Sequence, residues 1–435
     1  MTEDPRHRGR GYAFFARMFG SAVTSQALLS AANLLIGLLL IRRASDHQYG
    51  YYVLASSALI LLASLQNAFF NPPLSVRLPR LDDAGRRDLV GGLYREQRRI
   101  AGTLAAVGAA IAIVLWGAGV LDARTGPLVL VTIAAATVVL NREFFRMVLF
   151  AYRHASDVMR ADALQVTVLV GGVLLATMTA EPAVGAIVTI GVAAALSAIV
   201  LVRASRRVES WQRHSRPEIL REIAPLAAWS TFGAAIHWTF SQGYSWLVAG
   251  TLDLAAVAAI AATRLTVMPL NLLSTGIGQL MLPLVSRWLH DHGPMRVLRR
   301  VVLFAAGMVG ASLCYLAALW LFRDWIFGSV LHKEVAQRDE LLMLWSATFV
   351  VMVVRDQLLY FLAARELFRS LTSLVLLSAV SALLVSYVAM QHLGAPGAPL
   401  GVLVGETINL CGIVILSFCE ARRRYAAPSL AASES

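Results

Sequence analysis

Two short charged stretches lie inside segments of the sequence that are otherwise apolar. The first contains Arg142 and Glu143, with Arg146 one helical turn later, and the second contains Arg355 and Asp356 in the other half of the chain. If these segments cross a membrane, each charge costs roughly 2.5–3.5 kcal/mol on insertion scales, so such residues are kept chiefly where they pair or bind something. The charges therefore either brace helices against one another or line a water-filled route.

Helix geometry predicts partners for the first stretch. Arg142 and Arg146 are four residues apart, so they share one face of a helix, and Glu143 is close enough in sequence to pair with Arg146. Asp162, early in the next apolar segment, lies at a similar depth across a tight hairpin. We therefore expect Asp162 to be a second partner for Arg146.

The second stretch is expected to pair differently. Arg355 and Asp356 are adjacent, point about 100° apart on a helix and are not expected to face each other. Glu406, in the last apolar segment, is close enough in depth to be the partner of Arg355. If these clusters do more than brace, Glu143, Asp356 or Glu406 would take up a coupling proton or sodium ion.

Arg264 is a further arginine within an apolar segment, and it has no acidic residue within one helical turn. An unpartnered arginine at such depth either extends to the membrane surface or faces an aqueous cavity that holds an anion. Its distance from the predicted outer boundary favours the cavity. Pro269 interrupts the same segment and is expected to bend it.

Polar residues in matching segments of the two halves extend this predicted cavity. They are Gln26, Asn33, Gln66, Asn67, His237, Gln242, Asn271 and Gln279. His237 by itself is more typical of a hydrogen-bonded packing residue than of a proton carrier. The aromatic residues Trp238, Tyr244 and Trp246 suit stacking on sugar rings and equally suit helix packing.

Composition predicts the elements that position these residues. Of the 435 residues, 58% are hydrophobic and 15% are charged, whereas a soluble domain has about 25% charged residues. The sequence therefore predicts an all-α polytopic membrane protein. The net charge of +12 raises the alternative of nucleic acid binding, but the basic residues occur in short clusters between apolar segments, and membrane topology explains that distribution better.

Twelve apolar segments are long enough to span a bilayer. Their predicted ranges are 18–41, 49–72, 98–121, 127–151, 159–180, 183–203, 222–250, 255–284, 297–321, 340–363, 367–391 and 396–420. The basic linker 206–221 divides them into an N-terminal six-helix bundle, 1–205, and a C-terminal six-helix bundle, 222–425. A disordered tail is predicted for 426–435.

Arginine is concentrated in the loops on one side of the predicted spans, which places both termini in the cytoplasm. Because each half has an even number of spans, both halves enter the membrane from the same side, and a duplication would be a parallel repeat about an axis along the membrane normal. Two short matches support the repeat: Pro73-Leu74 with Pro283-Leu284, and Arg142-Glu143 with Arg355-Asp356.

The sequence contains none of the motifs that indicate catalysis. It has no Walker motif, no nucleophile elbow and no soluble domain for ATP. The three cysteines, Cys314, Cys411 and Cys419, form no cluster with histidine, so neither a metal site nor a disulfide framework is predicted. These observations favour a secondary transporter without a cofactor, and not an enzyme.

Three motifs in order along the chain carry a resemblance. They are Tyr49-Gly50-Tyr51-Tyr52 opening span two, Ala261-Ala262-Thr263-Arg264-Leu265 in span eight, and 283–287 closing it. With the twelve-span plan, the chain resembles the oligosaccharide flippases of the multidrug/oligosaccharidyl-lipid/polysaccharide exporter superfamily. The resemblance implies a cavity between two bundles, through which a polyprenyl-pyrophosphate glycan moves to the outer leaflet. Arg264 would meet its anion.

Two departures from relatives bear on the substrate. Span one lacks the acidic residue that many drug-exporting members use for ion coupling, which counts against efflux. The two extra C-terminal spans typical of lipid II flippases are absent, which counts against a peptidoglycan precursor.

The leading hypothesis is a bacterial inner-membrane flippase or exporter of lipid-linked oligosaccharide for surface polysaccharide synthesis, working by alternating access. Its expected partners are the lipid bilayer, its substrate and the polysaccharide polymerase and assembly machinery, with no nucleic acid. The alternative is an ion-coupled multidrug efflux pump of the same superfamily, although Arg264 would repel cationic drugs. The third hypothesis, a polytopic glycan polymerase or ligase, would need more than the short outer loop 322–339.

Overall fold

The computed structural model describes residues 5–76, 78, 81–208, 219–291, 293–365 and 367–422. The predicted tail, most of the predicted linker and part of the loop after Val76 lie outside these residues. Within the described part of the chain the secondary structure is helical throughout. The helices are α1 Pro5–Arg43, α2 Asp46–Val76, α3 Asp83–Gly117, α4 Thr125–Ala151, α5 Ala155–Ala176, α6 Pro182–Val208, α7 Ile219–Thr251, α8 Leu254–Val267, α9 Pro269–Asp291, α10 Pro294–Leu321, α11 Arg323–Trp325, α12 Arg338–Ala363, α13 Phe368–Leu393 and α14 Gly397–Arg422.

The predicted membrane spans coincide with these helices. Ten helices of the described part are long and apolar enough to cross a membrane. The seventh predicted span falls on α7, and the eighth falls on α8 and α9 together. The all-α fold is therefore confirmed. Helix α3 begins at Asp83, well before its predicted span, so the basic segment that precedes the span is helical.

The chain forms two compact units. The first comprises Met1–Trp238 with Leu254–Ala258, and the second comprises Thr239–Asp253 with Ala259–Ser435. The dividing point thus lies inside α7, whereas the predicted boundary lay in the linker before it.

The same helix pairs pack together inside each unit. In the first unit α4 packs against α2, α3 and α6, and α5 packs against α6. In the second unit α12 packs against α9, α10 and α14, and α13 packs against α14. Since α12 and α14 are the tenth and twelfth spans, each of these four pairs of the first unit has its counterpart six spans along the chain. This agreement is what a duplicated bundle predicts.

The predicted bend at Pro269 is a complete break between α8 and α9. Pro269 has no N–H to donate to Leu265, and the N–H of Met268 reaches both the Arg264 carbonyl at 3.1 Å and the Leu265 carbonyl at 3.3 Å. The Thr266 carbonyl accepts a hydrogen bond of 2.7 Å from the hydroxyl of Tyr315 on α10. A side chain thus replaces a missing helical bond, and α8 ends one turn after Arg264.

A row of three glycines lets α14 approach α13 closely. Gly397, Gly401 and Gly405 recur every four residues and so lie along one helix face. A Cβ atom on Gly401 would meet the backbone nitrogen of Ser386 at 2.3 Å, and one on Gly405 would meet the carbonyl oxygen of Ser378 at 2.7 Å. Small residues at such spacing allow van der Waals packing of helix backbones, which drives helix association in lipid.

We expect Gly401→Ala to destabilise the second unit by about 1–3 kcal/mol, because the added methyl group overlaps backbone that cannot move aside. Thermal unfolding of the detergent-solubilised protein measures the loss. Gly307→Ala in α10 is the matched control, since a Cβ there meets nothing within 4 Å. Equal unfolding temperatures for the two variants would contradict the close approach of α13 and α14.

Candidate functional site

Charged residues within the fourth and fifth spans of the first unit form one cluster. Arg142 donates to the carboxylates of both Glu143 and Asp162, and its Nε donates to Ser197 Oγ at 3.2 Å. Arg146 contributes a 3.3 Å contact from its Nε to Asp162 and a 3.8 Å contact to Glu143. Asp162 is fully buried and Arg142 is 3% exposed. Two arginines therefore neutralise two carboxylates.

Four helices of the first unit position this cluster. Arg142 and Arg146 project from α4, Asp162 from α5, and Ser197 from α6. Ser25 on α1 donates its hydroxyl proton to the second oxygen of Asp162. Asp162 thus contacts Arg146, the predicted partner, and also contacts Arg142, which is more deeply buried than Arg146.

The two predicted carboxylates of the second unit, Asp356 and Glu406, are arranged around Arg355. Arg355 on α12 donates to Glu406 on α14 and, through Nε and Nη2, to Asp356 at 3.0 and 2.6 Å. The expectation that Arg355 and Asp356 do not face each other was wrong. The long arginine side chain folds back along the helix, so the 100° between the two Cα–Cβ directions does not keep the charged groups apart.

The two clusters differ in charge balance. Among the described residues, Arg355 is the one basic residue in direct contact with the carboxylates of Asp356 and Glu406, which are 9% and 4% exposed. Arg264 attracts Glu406 only through space. Neutral donors supply the rest, including a 3.1 Å hydrogen bond from Ser274 Oγ to Asp356. With both carboxylates ionised, the second cluster carries one more negative than positive charge, unlike the first.

Arg264 lies against two aromatic rings of the second unit. Its guanidinium carbon is 5.6 Å from the ring centre of Tyr244 on α7 and 5.4 Å from that of Trp345 on α12. Its Nη1 also donates to the Tyr244 hydroxyl at 2.9 Å. Cation–π contacts of this kind hold a guanidinium in place without neutralising it.

The packing of these rings fixes their position. Tyr244 is 3% exposed and Trp345 is 1% exposed, with ring centres 5.6 Å apart. Trp345 Nε1 donates to the Ile260 carbonyl at 3.2 Å, one turn before Arg264 on α8. The Nε of Arg264 is buried and has no hydrogen-bond acceptor within the described residues. An anion that reached this guanidinium would therefore find unused donors.

The other predicted cavity residues are divided between the two units. Gln26 and Asn33 are exposed on α1, Asn67 on α2 is half-buried, and His237 is exposed on α7. In the second unit, Gln242 and Asn271 are half-buried. The side chain of Gln279 lies outside the described part of the structure. The structure gathers Arg264, Tyr244 and Trp345, but not the whole predicted set, into one cluster.

Trp345 was missed at the level of sequence. It lies about eighty residues after Arg264, and nothing in its neighbourhood distinguishes it from a packing tryptophan. Tyr244 was noted only as one of three aromatic residues in span seven. An arginine with no nearby acid indicated that some unusual partner exists, but it did not show which.

The fold is that of known membrane transporters. A multidrug resistance MATE family transporter of the MOP superfamily, described in an inward-facing conformation, superposes with a TM-score of 0.74 at 13% identity, covering 92% of this chain and 98% of that one. The lipid II flippase MurJ, in an inward closed conformation, gives a TM-score of 0.71 at 10% identity, covering 94% of this chain and 90% of that one. A MATE transporter of Vibrio cholerae gives 0.61 at 13% identity, with coverages of 94% and 97%.

These similarities concern structure. No protein-family model matches the sequence, and no curated protein sequence matches it. The chain therefore shares the fold of MATE transporters and of MurJ over nearly its whole length. Identities of 10–13% leave the substrate to be argued from the chain's own residues.

Proposed function

We propose that this protein is a secondary transporter that flips or exports a lipid-linked oligosaccharide, carried on polyprenyl pyrophosphate, across the bacterial inner membrane by alternating access. It would serve surface polysaccharide synthesis, with both termini in the cytoplasm, and would work beside the polysaccharide polymerase and assembly machinery. The fold supports a transporter. The preference for a lipid-linked anion depends on Arg264.

The proposed substrate class is inferred from the guanidinium of Arg264, which has no ion-pair partner among the described residues. It contacts two aromatic rings and one phenol hydroxyl, and no carboxylate lies within ion-pair distance of it in the described residues. A guanidinium presents a planar fork of donors that matches phosphate geometry. The buried Nε of Arg264 has no acceptor among the described residues, and a pyrophosphate would supply the missing acceptor.

An efflux pump for cationic drugs is the second possibility, because MATE transporters share the fold. Two features oppose it. The sequence of α1 contains no acidic residue, and Arg264 would place a positive charge beside a cationic drug. The second feature does not oppose a pump for anionic or neutral drugs. Anionic, neutral and cationic substrates should therefore be compared in one assay.

Reconstituted vesicles test the proposal directly. We expect the protein to move a fluorescent polyprenyl-pyrophosphate saccharide between leaflets, measured by its accessibility to a membrane-impermeant quencher, and not to concentrate a cationic dye. The same lipid without its pyrophosphate should move much more slowly. If the protein exported the dye and moved the lipid no faster than protein-free vesicles do, the flippase proposal would be wrong and an efflux pump would be supported.

We further propose that the second cluster binds the coupling ion, a proton or sodium. Two buried carboxylates share one arginine in direct contact, and Arg264 attracts Glu406 only through space. The negative charge of this cluster is therefore less well compensated than that of the first, and burial of poorly compensated charge is costly. Binding of a cation at Asp356 or Glu406 removes that cost. The first cluster, in which charges balance, is better suited to bracing α1, α4, α5 and α6.

Glu406→Gln is expected to remove the dependence of transport on pH or on sodium, because it leaves Arg355 with Asp356 alone in a balanced pair. Transport rates measured across a pH series, with and without sodium, provide the test. Glu420→Gln, at the end of the same helix and paired with Arg365 at 2.9 Å, is the matched control. If Glu406→Gln kept the dependence of the unmodified protein, the second cluster would be only structural.

A further inference from the structure

A groove runs along the first unit between α3 and α6. Both helices pack on α4, and the cavity between them has a volume of about 780 Å³. Small-molecule sites typically occupy about 300–1,000 Å³, so the groove has room for a ligand. Its residues take no part in the proposed transport or coupling sites.

The polar part of the groove is strongly basic. Arg98 on α3 and Arg203 and Arg206 on α6 line it, and its described lining includes no acidic residue. All three arginines are exposed, and no carboxylate in the described part of the chain pairs with them. Arg98 lies over the ring of Tyr94 at 5.8 Å from its centre. Among the described residues, the groove therefore holds three guanidinium groups that no carboxylate pairs with.

The floor of the groove offers neutral polar groups. Thr137 and Asn141 contribute from α4. Gln97, which is 2% exposed, donates from Nε2 to Gln66 Oε1 at 3.2 Å, while its own Oε1 has no donor in the described structure. A buried amide oxygen without a donor is costly. A ligand that combines an anion with a hydroxyl group would match both the walls and the floor.

The rest of the groove is apolar, and the two helices beside it carry exposed apolar side chains. Its walls include Gly102, Val138 and Ile199. Beyond it, Leu104 on α3 and Leu196 on α6 are 58% and 40% exposed. Exposed apolar side chains on helices of this length are suited to contact with acyl chains. A soluble anion would gain nothing from these surfaces, whereas a lipid would.

We infer that this groove binds the headgroup of an anionic glycerophospholipid, such as phosphatidylglycerol, with its acyl chains along α3 and α6. The three arginines contact the phosphate, and the neutral polar groups at the floor accept hydrogen bonds from the hydroxyl groups of the headgroup. Basic recesses between membrane helices bind lipid headgroups in this way. The arginine distribution assigns this end of the unit to the cytoplasmic leaflet. The inference does not depend on the transported substrate.

Native mass spectrometry of the full-length protein tests the site. The detergent-solubilised protein is equilibrated with phosphatidylglycerol and phosphatidylcholine of identical acyl chains, and the ratio of the two retained lipids is measured. We expect preferential retention of phosphatidylglycerol, and we expect Arg203→Gln/Arg206→Gln to lower the ratio by about tenfold or more, because each arginine contributes to attraction of the anionic headgroup.

The matched control is Arg296→Gln/Arg299→Gln. It removes two exposed arginines at the start of α10, so the total charge changes equally, and we expect no change in the ratio. Retention of equal amounts of the two lipids by the unmodified protein would overturn the inference. An equal decrease of this ratio in the two double variants would also overturn it, since the ratio would then depend only on the total charge of the protein.

Two further measurements locate the site and identify the ligand. Gly102→Trp keeps every charge and adds a ring where a Cβ meets nothing within 4 Å, so the protein should fold normally and lose phosphatidylglycerol. Retention at the unmodified level by this variant would contradict the location. Excess inorganic phosphate should not displace the lipid, and complete displacement would show an anion site rather than a lipid site.

Discussion

Replacing Asp162 with alanine is expected to destabilise the first unit by about 3–5 kcal/mol, the usual cost of removing one partner from a buried ion pair. Asp162 is fully buried and contacts Arg142, Arg146 and Ser25. Without it, Glu143 is the one remaining carboxylate for two arginines among the described residues. Thermal unfolding in detergent, supported by the yield of monodisperse protein, measures the effect.

The adjacent region of α5 provides a control for this variant. Asp157 also pairs with basic neighbours, His154 and Arg160, but at the partly exposed start of the helix. Because exposed ion pairs contribute about 0–1 kcal/mol, Asp157→Ala should change stability little. Asp162→Ala/Arg142→Met should cost less than the sum of its single variants by about 0.5–3 kcal/mol. Strict additivity would show that the two side chains do not stabilise each other.

Arg264→Ala is expected to lower the rate of lipid-linked oligosaccharide transport by about 10- to 100-fold, because a hydrogen bond to a charged group contributes about 1.5–3 kcal/mol and each 1.4 kcal/mol is a factor of ten. The protein should remain folded, since Arg264 makes no ion pair with a described residue that its loss would break. Transport in reconstituted vesicles and export of polysaccharide in cells both measure the effect.

Two variants separate charge from packing around Arg264. Tyr244→Phe removes only the phenol hydroxyl and keeps the ring, so it should retain most activity. Arg300→Ala removes another arginine that lies over a tryptophan, Trp288, with its guanidinium 5.6 Å from the ring centre, and it should transport normally. Normal transport by a well-expressed Arg264→Ala protein would remove Arg264 from the substrate site.

The helices could be predicted from the sequence because membrane spans are read from local hydropathy. The break at Pro269 was predictable for the same reason, since the missing N–H is a property of one residue. The close approach of α13 and α14 was not predicted, although Gly397, Gly401 and Gly405 are visible in the sequence, because their partners lie on another helix.

The site was less predictable because its contacts are tertiary. Glu406 was identified as a partner for Arg355 from depth alone. The contact between Arg355 and Asp356 was missed, since helix geometry fixes the direction of Cβ but not the path of a long side chain. The groove at Arg98, Arg203 and Arg206 was also missed, because arginines between spans were interpreted only as topology signals.

The different charge balance of the two clusters has a consequence for the response to membrane voltage. Transfer of one elementary charge across a membrane potential changes the free energy by about 2.3 kcal/mol per 100 mV. The cluster of Arg142 and Asp162 is neutral as a whole, so its displacement does no electrical work. With both carboxylates ionised, the cluster of Arg355, Asp356 and Glu406 carries one more negative than positive charge, and the proposed binding of a cation would cancel it. An imposed voltage should therefore act on the second cluster in its ion-free state and do no work on the first cluster.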